Sequence, residues 1–148
     1  MKSQAIYIFV TLALLFGGCG ISCFASDNET AGTYSAAPEQ IVCTPNGDLQ
    51  TQVGLAWVTD SSTAGTYVRA VEKTGDEEPD FDGAELIEGE NGVNGTYRWH
   101  KVLVDGLEPG TTYQYQVGDG TTWSAAGEFT TAPADQEAFT FLQLNDSQ

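Results

Sequence analysis

Short runs of alternating apolar and polar residues, separated by turn residues, recur along residues 38–133, and this pattern constrains the fold most. In one run Val53, Leu55 and Trp57 fall on a single face at period two. Helical periodicity is absent from the same stretch, and short alternating runs of this kind are typical of a β-sandwich. We therefore predict an all-β, immunoglobulin-like sandwich of about seven strands, at residues 40–44, 51–59, 66–73, 84–88, 96–104, 112–117 and 128–131.

The stretch from residue 103 to residue 120, LVDGLEPGTTYQYQVGDG, has a more specific local pattern. It places Leu107 at a corner, turns the chain at Pro109 and Gly110, and starts the next strand near Tyr113. A tyrosine there can bury its ring between the sheets while its hydroxyl bonds back to the corner, as in the tyrosine corner of immunoglobulin-like domains. The predicted core is Ile41, Val53, Leu55, Trp57, Val102, Val104, Leu107, Tyr113, Tyr115 and Val117.

The first 25 residues resemble an export signal. Lys2 precedes an apolar run, and small residues lead to Ala25, after which cleavage is expected. A lipoprotein signal ending at Cys19 is an alternative, and an uncleaved membrane anchor is a third reading. Residues 26–37 are polar and small, which predicts a flexible tether with order beginning at Pro38. The protein is therefore expected to be secreted or held in the cell envelope.

The formal charge of the chain is −16. Such a surface repels phosphate backbones and anionic lipid headgroups, so we expect no nucleic-acid partner. Membrane association is expected only through lipidation at Cys19 or an uncleaved anchor. The acidic run at residues 76–82 lacks the ligand spacing of a calcium loop, which disfavours calcium binding.

Few residues of the sandwich carry the chemistry of an active site. His100 has no acidic or thiol partner nearby in sequence, so a structural role, bonded to a neighbouring strand, is favoured over catalysis or metal binding. Cys43 shares strand parity with the first core residue and is predicted to be a small core side chain, with a reactive thiol less favoured. Trp99 has the strand parity opposite to that of His100 and Val102, which places it on the outer face. There it either contacts a carbohydrate or another domain, or packs beneath a loop. Ser61 to Thr63 are predicted to form a loop, and no catalytic residue is assigned in the sandwich.

Three segments together resemble the N-terminal, fibronectin type III-like domain of purple acid phosphatases. They are PEQIVCTPNGDLQTQVGLAWVTD at 38–60, HKVLVDGLEPGTTYQYQVGDG at 100–120 and EFTTAP at 128–133. The resemblance spans residues 38–133 and depends on the joint order of the motifs rather than on any single one.

In that family a metallophosphoesterase domain follows the sandwich. The resemblance implies that residues 134–148 begin this domain, that 138–144 form its first strand and that Asp146 is its first metal ligand. The local sequence reads Asn145-Asp146-Ser147-Gln148, where the family usually has Gly-Asp-x-Gly. The resemblance further implies a dinuclear centre in the parent enzyme, iron with zinc, manganese or iron, and a phosphate ester substrate.

One carboxylate cannot hold two metal ions, so this chain alone is predicted to be inactive, with its own catalytic domain as the packing partner of the sandwich. The alternative hypothesis is a complete secreted adhesion or binding module. The apolar segment 138–144 favours the first hypothesis, because an independent sandwich has no use for an unpaired apolar strand.

Overall fold

The computed structural model describes residues 33–135, 138 and 140. These residues form eight strands: β1 (Glu39–Pro45), β2 (Val53–Asp60), β3 (Tyr67–Glu72), β4 (Ile87–Glu88), β5 (Glu90–Asn94), β6 (Tyr97–Val104), β7 (Thr112–Gly118) and β8 (Gly127–Thr130). The first sheet has the order β1-β2-β6-β5, the second has β4-β3-β7-β8, and neighbouring strands are antiparallel. This is the two-sheet arrangement of an immunoglobulin-like sandwich, which confirms the predicted fold class.

The core lies between β2 and β6 of the first sheet and β3 and β7 of the second. On β2 every second side chain points inward, from Val53 to Thr59, and all four are buried. Directly opposite residues of an antiparallel pair share a face, so Leu55 opposite Val102 extends the same layer. Nine of the ten predicted core residues are buried, because alternation at period two separates the two faces of a strand.

The remaining predicted core residue, Ile41, and the predicted small core side chain Cys43 are corrections. Ile41 is 36% exposed, and Cys43 is also exposed. Cys43 lies opposite Leu55 and so is on the inner side of β1. However, β1 is the edge of its sheet, and β8, at the corresponding edge of the second sheet, has only four residues. The inner side of β1 therefore remains largely open.

The region around residues 84–95 also differs from the prediction. The short strand expected at 84–88 is confined to Ile87–Glu88, and a further strand, Glu90–Asn94, forms where no strand was predicted. Asn and Gly favour turns in isolation. Pairing with β6 from Glu90 to Asn94 outweighs this local preference.

The tyrosine corner is confirmed. Leu107 is buried at the corner, and the amide of Glu108 donates a hydrogen bond of 2.9 Å to the hydroxyl of Tyr113. This bond gives a partner to a backbone amide where β6 ends and the chain crosses to β7.

At the N-terminal side, ordered contacts precede the predicted start at Pro38. The backbone carbonyl of Ser35 accepts a hydrogen bond from the amide of Asp60, and Tyr34 packs against Tyr97 with ring centroids 5.2 Å apart. Two residues of the predicted tether thus contact the sandwich, and residues 26–32 lie outside the described part of the chain.

The predicted export signal, residues 1–25 with Cys19, lies outside the described residues, as does Asp146. Of the strand predicted at 138–144, Ala138 and Thr140 are described, and neither is in a strand. Across the described residues there is no helix of the length and apolarity needed to cross a membrane.

Candidate functional site

His100 lies on β6 at the centre of the first sheet, where strand pairing places it opposite Trp57 of β2. The two rings are stacked, with centroids 5.0 Å apart and planes 4° apart. His100 has 0% exposure, so its ring lies entirely within the core.

Both ring nitrogens of His100 have hydroxyl partners. Nε2 lies 2.8 Å from Thr59 Oγ1 on β2, and Nδ1 lies 2.8 Å from Thr66 Oγ1 just before β3. The Thr59 hydroxyl donates to the carbonyl of Asp60, while Thr66 Oγ1 accepts a bond from Asn91 Nδ2. These directions assign the proton of a neutral imidazole to Nε2, with the Thr66 hydroxyl donating to Nδ1.

The network continues to the protein surface through Asn91. Its amide nitrogen also donates to the carbonyl of Ala64, and its Oδ1 accepts a bond from Arg98 Nη1. Arg98 in turn donates to the carbonyl of Ser61 through Nε and Nη2. The polar groups around His100 thus connect β5 and β6 with the loop between β2 and β3.

Burial lowers the pKa of His100 to about 4, and the positive charge of Arg98 contributes further in the same direction. The imidazole is therefore neutral at pH 7. Since both nitrogens are already hydrogen-bonded inside the core, the ring is not available as a metal ligand or general base. The predicted structural role, with a hydrogen bond to the neighbouring strand β2, is confirmed.

Sequence reasoning did not identify the partners of His100. Thr59 continues the inward parity of β2, a signal that could have marked it as a buried hydroxyl. Thr66 and Asn91 carry no such signal, because they approach His100 only when the second sheet and β5 are in place.

The loop at Ser61 to Thr63 is a turn stabilised by hydrogen bonds to the side chain of Asp60. Asp60 Oδ1 accepts bonds from the amide and hydroxyl of Ser62 and from the amide and hydroxyl of Thr63. The hydroxyl of Ser62 is the largest cause that lowers the pKa of Asp60 below its ordinary 3.8. Both hydroxyls are thereby assigned to a structural role, as the sequence predicted.

The acidic run at residues 76–82 contributes a packing residue that sequence reasoning missed. Phe81 is buried. The guanidinium carbon of Arg69 lies 4.9 Å from the centroid of the Phe81 ring and 4.4 Å from that of the Trp123 ring.

Within the described part of the chain, no three or more His, Cys, Asp or Glu side chains are grouped closely enough to hold a metal ion.

Between the edge strands β1 and β8 the sandwich opens into a cleft of about 440 Å³. The amide of Ala132 donates to the carbonyl of Leu49, which joins the exit of β8 to the turn after β1. The lining of the cleft is mostly apolar and includes Cys43, Leu49, Val53, Phe129, Ala132 and Thr140. Partial burial beside this cleft raises the pKa of the Cys43 thiol, which keeps it in the less reactive protonated form at neutral pH.

Comparison with solved structures finds similarity to individual domains of other proteins. The fibronectin type III domain of human contactin 1 is 18% identical, with a TM-score of 0.49 over 84% of this chain and all of that one. The sensor domain of the anti-sigma factor RsgI4 in Pseudobacteroides cellulosolvens is 16% identical, with a TM-score of 0.45 over 67% of this chain and 99% of that one. No curated protein matches the sequence.

Comparison with protein families gives a match over residues 38–131 to the family described as the purple acid phosphatase, N-terminal domain. The match begins one residue before β1 and ends one residue after β8, so it covers all eight described strands and more than half of the chain. The chain belongs to the family of purple acid phosphatase N-terminal domains, as its motif order predicted.

Proposed function

We propose that this sandwich is the non-catalytic N-terminal domain of an exported metallophosphoesterase that hydrolyses phosphate esters. The family match over every described strand carries the proposal. The buried and fully bonded His100 is consistent with it, since this imidazole is used for packing and hydrogen bonding within the core.

The catalytic chemistry is assigned to the domain that follows the sandwich in this family. By resemblance its dinuclear centre would contain iron with zinc, manganese or iron, and Asp146 would be the first ligand. Asp146 lies outside the described residues, and no catalytic step is assigned to the sandwich. The role of the sandwich would be to support the catalytic domain.

We place the contact with the catalytic domain at the cleft between β1 and β8. Thr140, which follows β8 by ten residues, lines this cleft, so the chain passes it on leaving the sandwich. The apolar lining and the open inner side of β1 fit a surface that another domain covers.

Export is proposed from residues 1–25, with cleavage after Ala25 or lipidation at Cys19 as the two routes. Mass spectrometry of the protein produced in an exporting host separates them. A mature N-terminus at Ser26 supports the first route, a lipid-modified Cys19 supports the second, and an intact N-terminus contradicts both.

The enzymatic part of the proposal is tested with the purified 148-residue chain and 4-nitrophenyl phosphate, in the presence of iron, zinc or manganese. We expect no release of nitrophenol, because a single candidate ligand cannot assemble a two-metal site. Turnover that is lost in the Asp146→Asn variant would overturn the assignment of this chain as non-catalytic.

The parent enzyme is tested by reading the encoding DNA beyond codon 148. We expect the Gly-Asn-His and Gly-His-x-His blocks that supply further metal ligands in this family. An open reading frame that continues into unrelated sequence would instead favour a binding or adhesion module.

A further inference from the structure

The outer face of the first sheet contains a trough. Two neighbouring outward positions of β2 are small, Gly54 and Ala56, whereas the residues opposite them on β6 are Leu103 and Lys101. The long side chains of β6 therefore project beside the two small residues of β2 and border the trough on one side. The resulting cavity of about 510 Å³ is also lined by Thr44, Asn46, Glu88 and Glu90, a volume within the range of small-molecule sites.

An aromatic row continues from this trough along β6. Trp99 is half-buried and lies beside Gly92 of β5, where a Cβ atom would come within 2.6 Å of the indole. The indole thus covers the backbone of β5, and only a glycine permits this approach. Tyr97 is two residues earlier on the same outer face, where its ring packs against that of Tyr34.

Hydrogen-bonding groups surround both features. Lys101 Nζ is 5.1 Å from the centroid of the Trp99 ring, and strand pairing places Glu90 opposite Lys101. Asn46 and Thr44 line the far end of the trough with an amide and a hydroxyl. The accessible part of a half-buried aromatic ring, bordered by amide, carboxylate and ammonium groups, is complementary to a sugar ring, which has an apolar C–H face and a rim of hydroxyls.

The charges on this face favour a neutral sugar over other partners. The formal charge of −16 repels acidic saccharides, nucleic acids and anionic lipids. The centres of protein interfaces are depleted of charged residues, whereas three charged side chains, Lys101, Glu88 and Glu90, line this trough. A protein partner therefore fits this face less well than a ligand rich in hydroxyl groups.

We propose that the outer face of the first sheet binds a neutral oligosaccharide, with one sugar ring stacked on Trp99 and neighbouring hydroxyls bonded to Lys101, Glu90 and Asn46. This site is separate from the cleft between β1 and β8 and does not depend on the phosphatase assignment. It would attach the exported protein to a neutral polysaccharide.

The proposal is tested by titrating the full chain with the neutral β-1,4-linked hexasaccharides of glucose, mannose and xylose, and measuring heat by calorimetry. We expect at least one to bind with a Kd between about 10 μM and 1 mM. The Trp99→Ala variant should bind at least about tenfold more weakly. Trp123→Ala is the matched control, because Trp123 contacts Arg69 of the second sheet, and its Kd should equal that of the unmodified chain.

Amide chemical shifts of the unmodified chain keep the test decisive if Trp99→Ala fails to fold. Binding should shift residues of β2, β5 and β6 around the trough, and shifts confined to the second sheet would overturn the proposal. The absence of heat with all three sugars at about 5 mM would also overturn it. So would self-association without sugar that is lost in Trp99→Ala, since it would assign this face to a second copy of the chain.

Discussion

At the scale of single residues, His100 shows how a polar side chain is accommodated in the core. Its two nitrogens are paired with Thr59 and Thr66, so burial leaves neither nitrogen without a partner. The same pairing is suited to the neutral ring only. Protonation would place a second N–H against the Thr66 hydroxyl, which already donates toward that nitrogen, and would introduce a charge into the core near Arg98.

The stability of the domain should therefore decrease as the pH falls from 6.5 toward 4. Above pH 6.5 the imidazole is neutral in both the folded and unfolded states, so it has no effect. Between the two pKa values only the unfolded state binds the proton, and the free energy of unfolding should drop by about 3 kcal/mol in total. Urea unfolding at a series of pH values measures this loss.

The matched control is His100→Gln, which cannot titrate in this range. Glu39 and Asp60, whose pKa values are lowered by hydrogen bonds from Ser35 and Ser62, are present in both proteins. Their stabilisation is lost at lower pH, below ordinary values of 4.5 and 3.8. If the two proteins lose stability in parallel from pH 6.5 to 4.5, His100 is not the cause.

Tyr113→Phe tests the tyrosine corner. The change removes the hydroxyl that accepts the amide of Glu108 but keeps the aromatic ring, so unfolding should become easier by about 1 to 3 kcal/mol. Tyr97→Phe is the control, because its hydroxyl accepts an exposed bond from Asn94 and its loss should change stability by less than about 0.5 kcal/mol. Equal effects of the two variants would show that the corner bond has no special role.

At the scale of elements, the burial of a side chain depends separately on its strand parity and on the position of its strand in the sheet. Cys43 and Leu55 are directly opposite and share the inner face, yet Leu55 is 1% exposed and Cys43 is exposed. Leu55 lies on a strand with a neighbour on each side and is covered by the second sheet, whereas Cys43 lies on the edge strand β1. An inward direction therefore leads to burial only where another element lies opposite.

This difference predicts that truncating Leu55 and Cys43 to alanine lowers the stability of the domain by unequal amounts. Leu55→Ala should lower the free energy of unfolding by about 2 to 5 kcal/mol, because it leaves a cavity among packed side chains. Cys43→Ala should cost less than about 1 kcal/mol, since solvent already reaches that position. Chemical denaturation of the two variants provides the comparison, and similar losses would mean that the cleft at β1 is closed in solution.

The formation of β5 likewise depends on a neighbouring element. Its sequence ENGVN has little β propensity, and the alternation pattern predicts no strand there. All five of its residues pair with β6, a long strand whose other edge is already joined to β2. A strand with weak local preference forms because a well-formed neighbour supplies its hydrogen bonds.

At the scale of the whole molecule, the two sheets share one core. Leu55, Trp57 and Val102 of the first sheet belong to the same buried cluster as Val68 and Val117 of the second. The bond between His100 and Thr66 adds a polar link between β6 and the entry to β3. Neither sheet can separate from the other without exposing this cluster.

We therefore expect the domain to unfold in a single cooperative transition. Trp57 and Trp99 report on the first sheet, while Trp123 contacts the second through Arg69. Guanidinium unfolding curves from tryptophan fluorescence should coincide with the curve from far-ultraviolet circular dichroism. They should also coincide between Trp99→Phe, in which Trp99 no longer contributes, and Trp123→Phe. Separate midpoints for the two single variants would show that the sheets unfold independently.

The sequence by itself determined the class of fold, the direction of most core side chains and the tyrosine corner. These features depend on alternation at period two and on local turn chemistry, both of which are visible within a few neighbouring residues. The order of the motifs was also sufficient to indicate the family that the comparison then confirmed.

Only the tertiary structure decided which inward positions are covered, which groups surround His100 and where the sandwich remains open. Ile41 and Leu55 have similar local patterns, but one lies at an edge and the other beneath a second sheet. Thr66 is 34 residues from His100, and Gly92 meets Trp99 only through the pairing of β5 with β6. Burial and polar contacts depend on what packs opposite a residue, and that partner comes from a distant part of the chain.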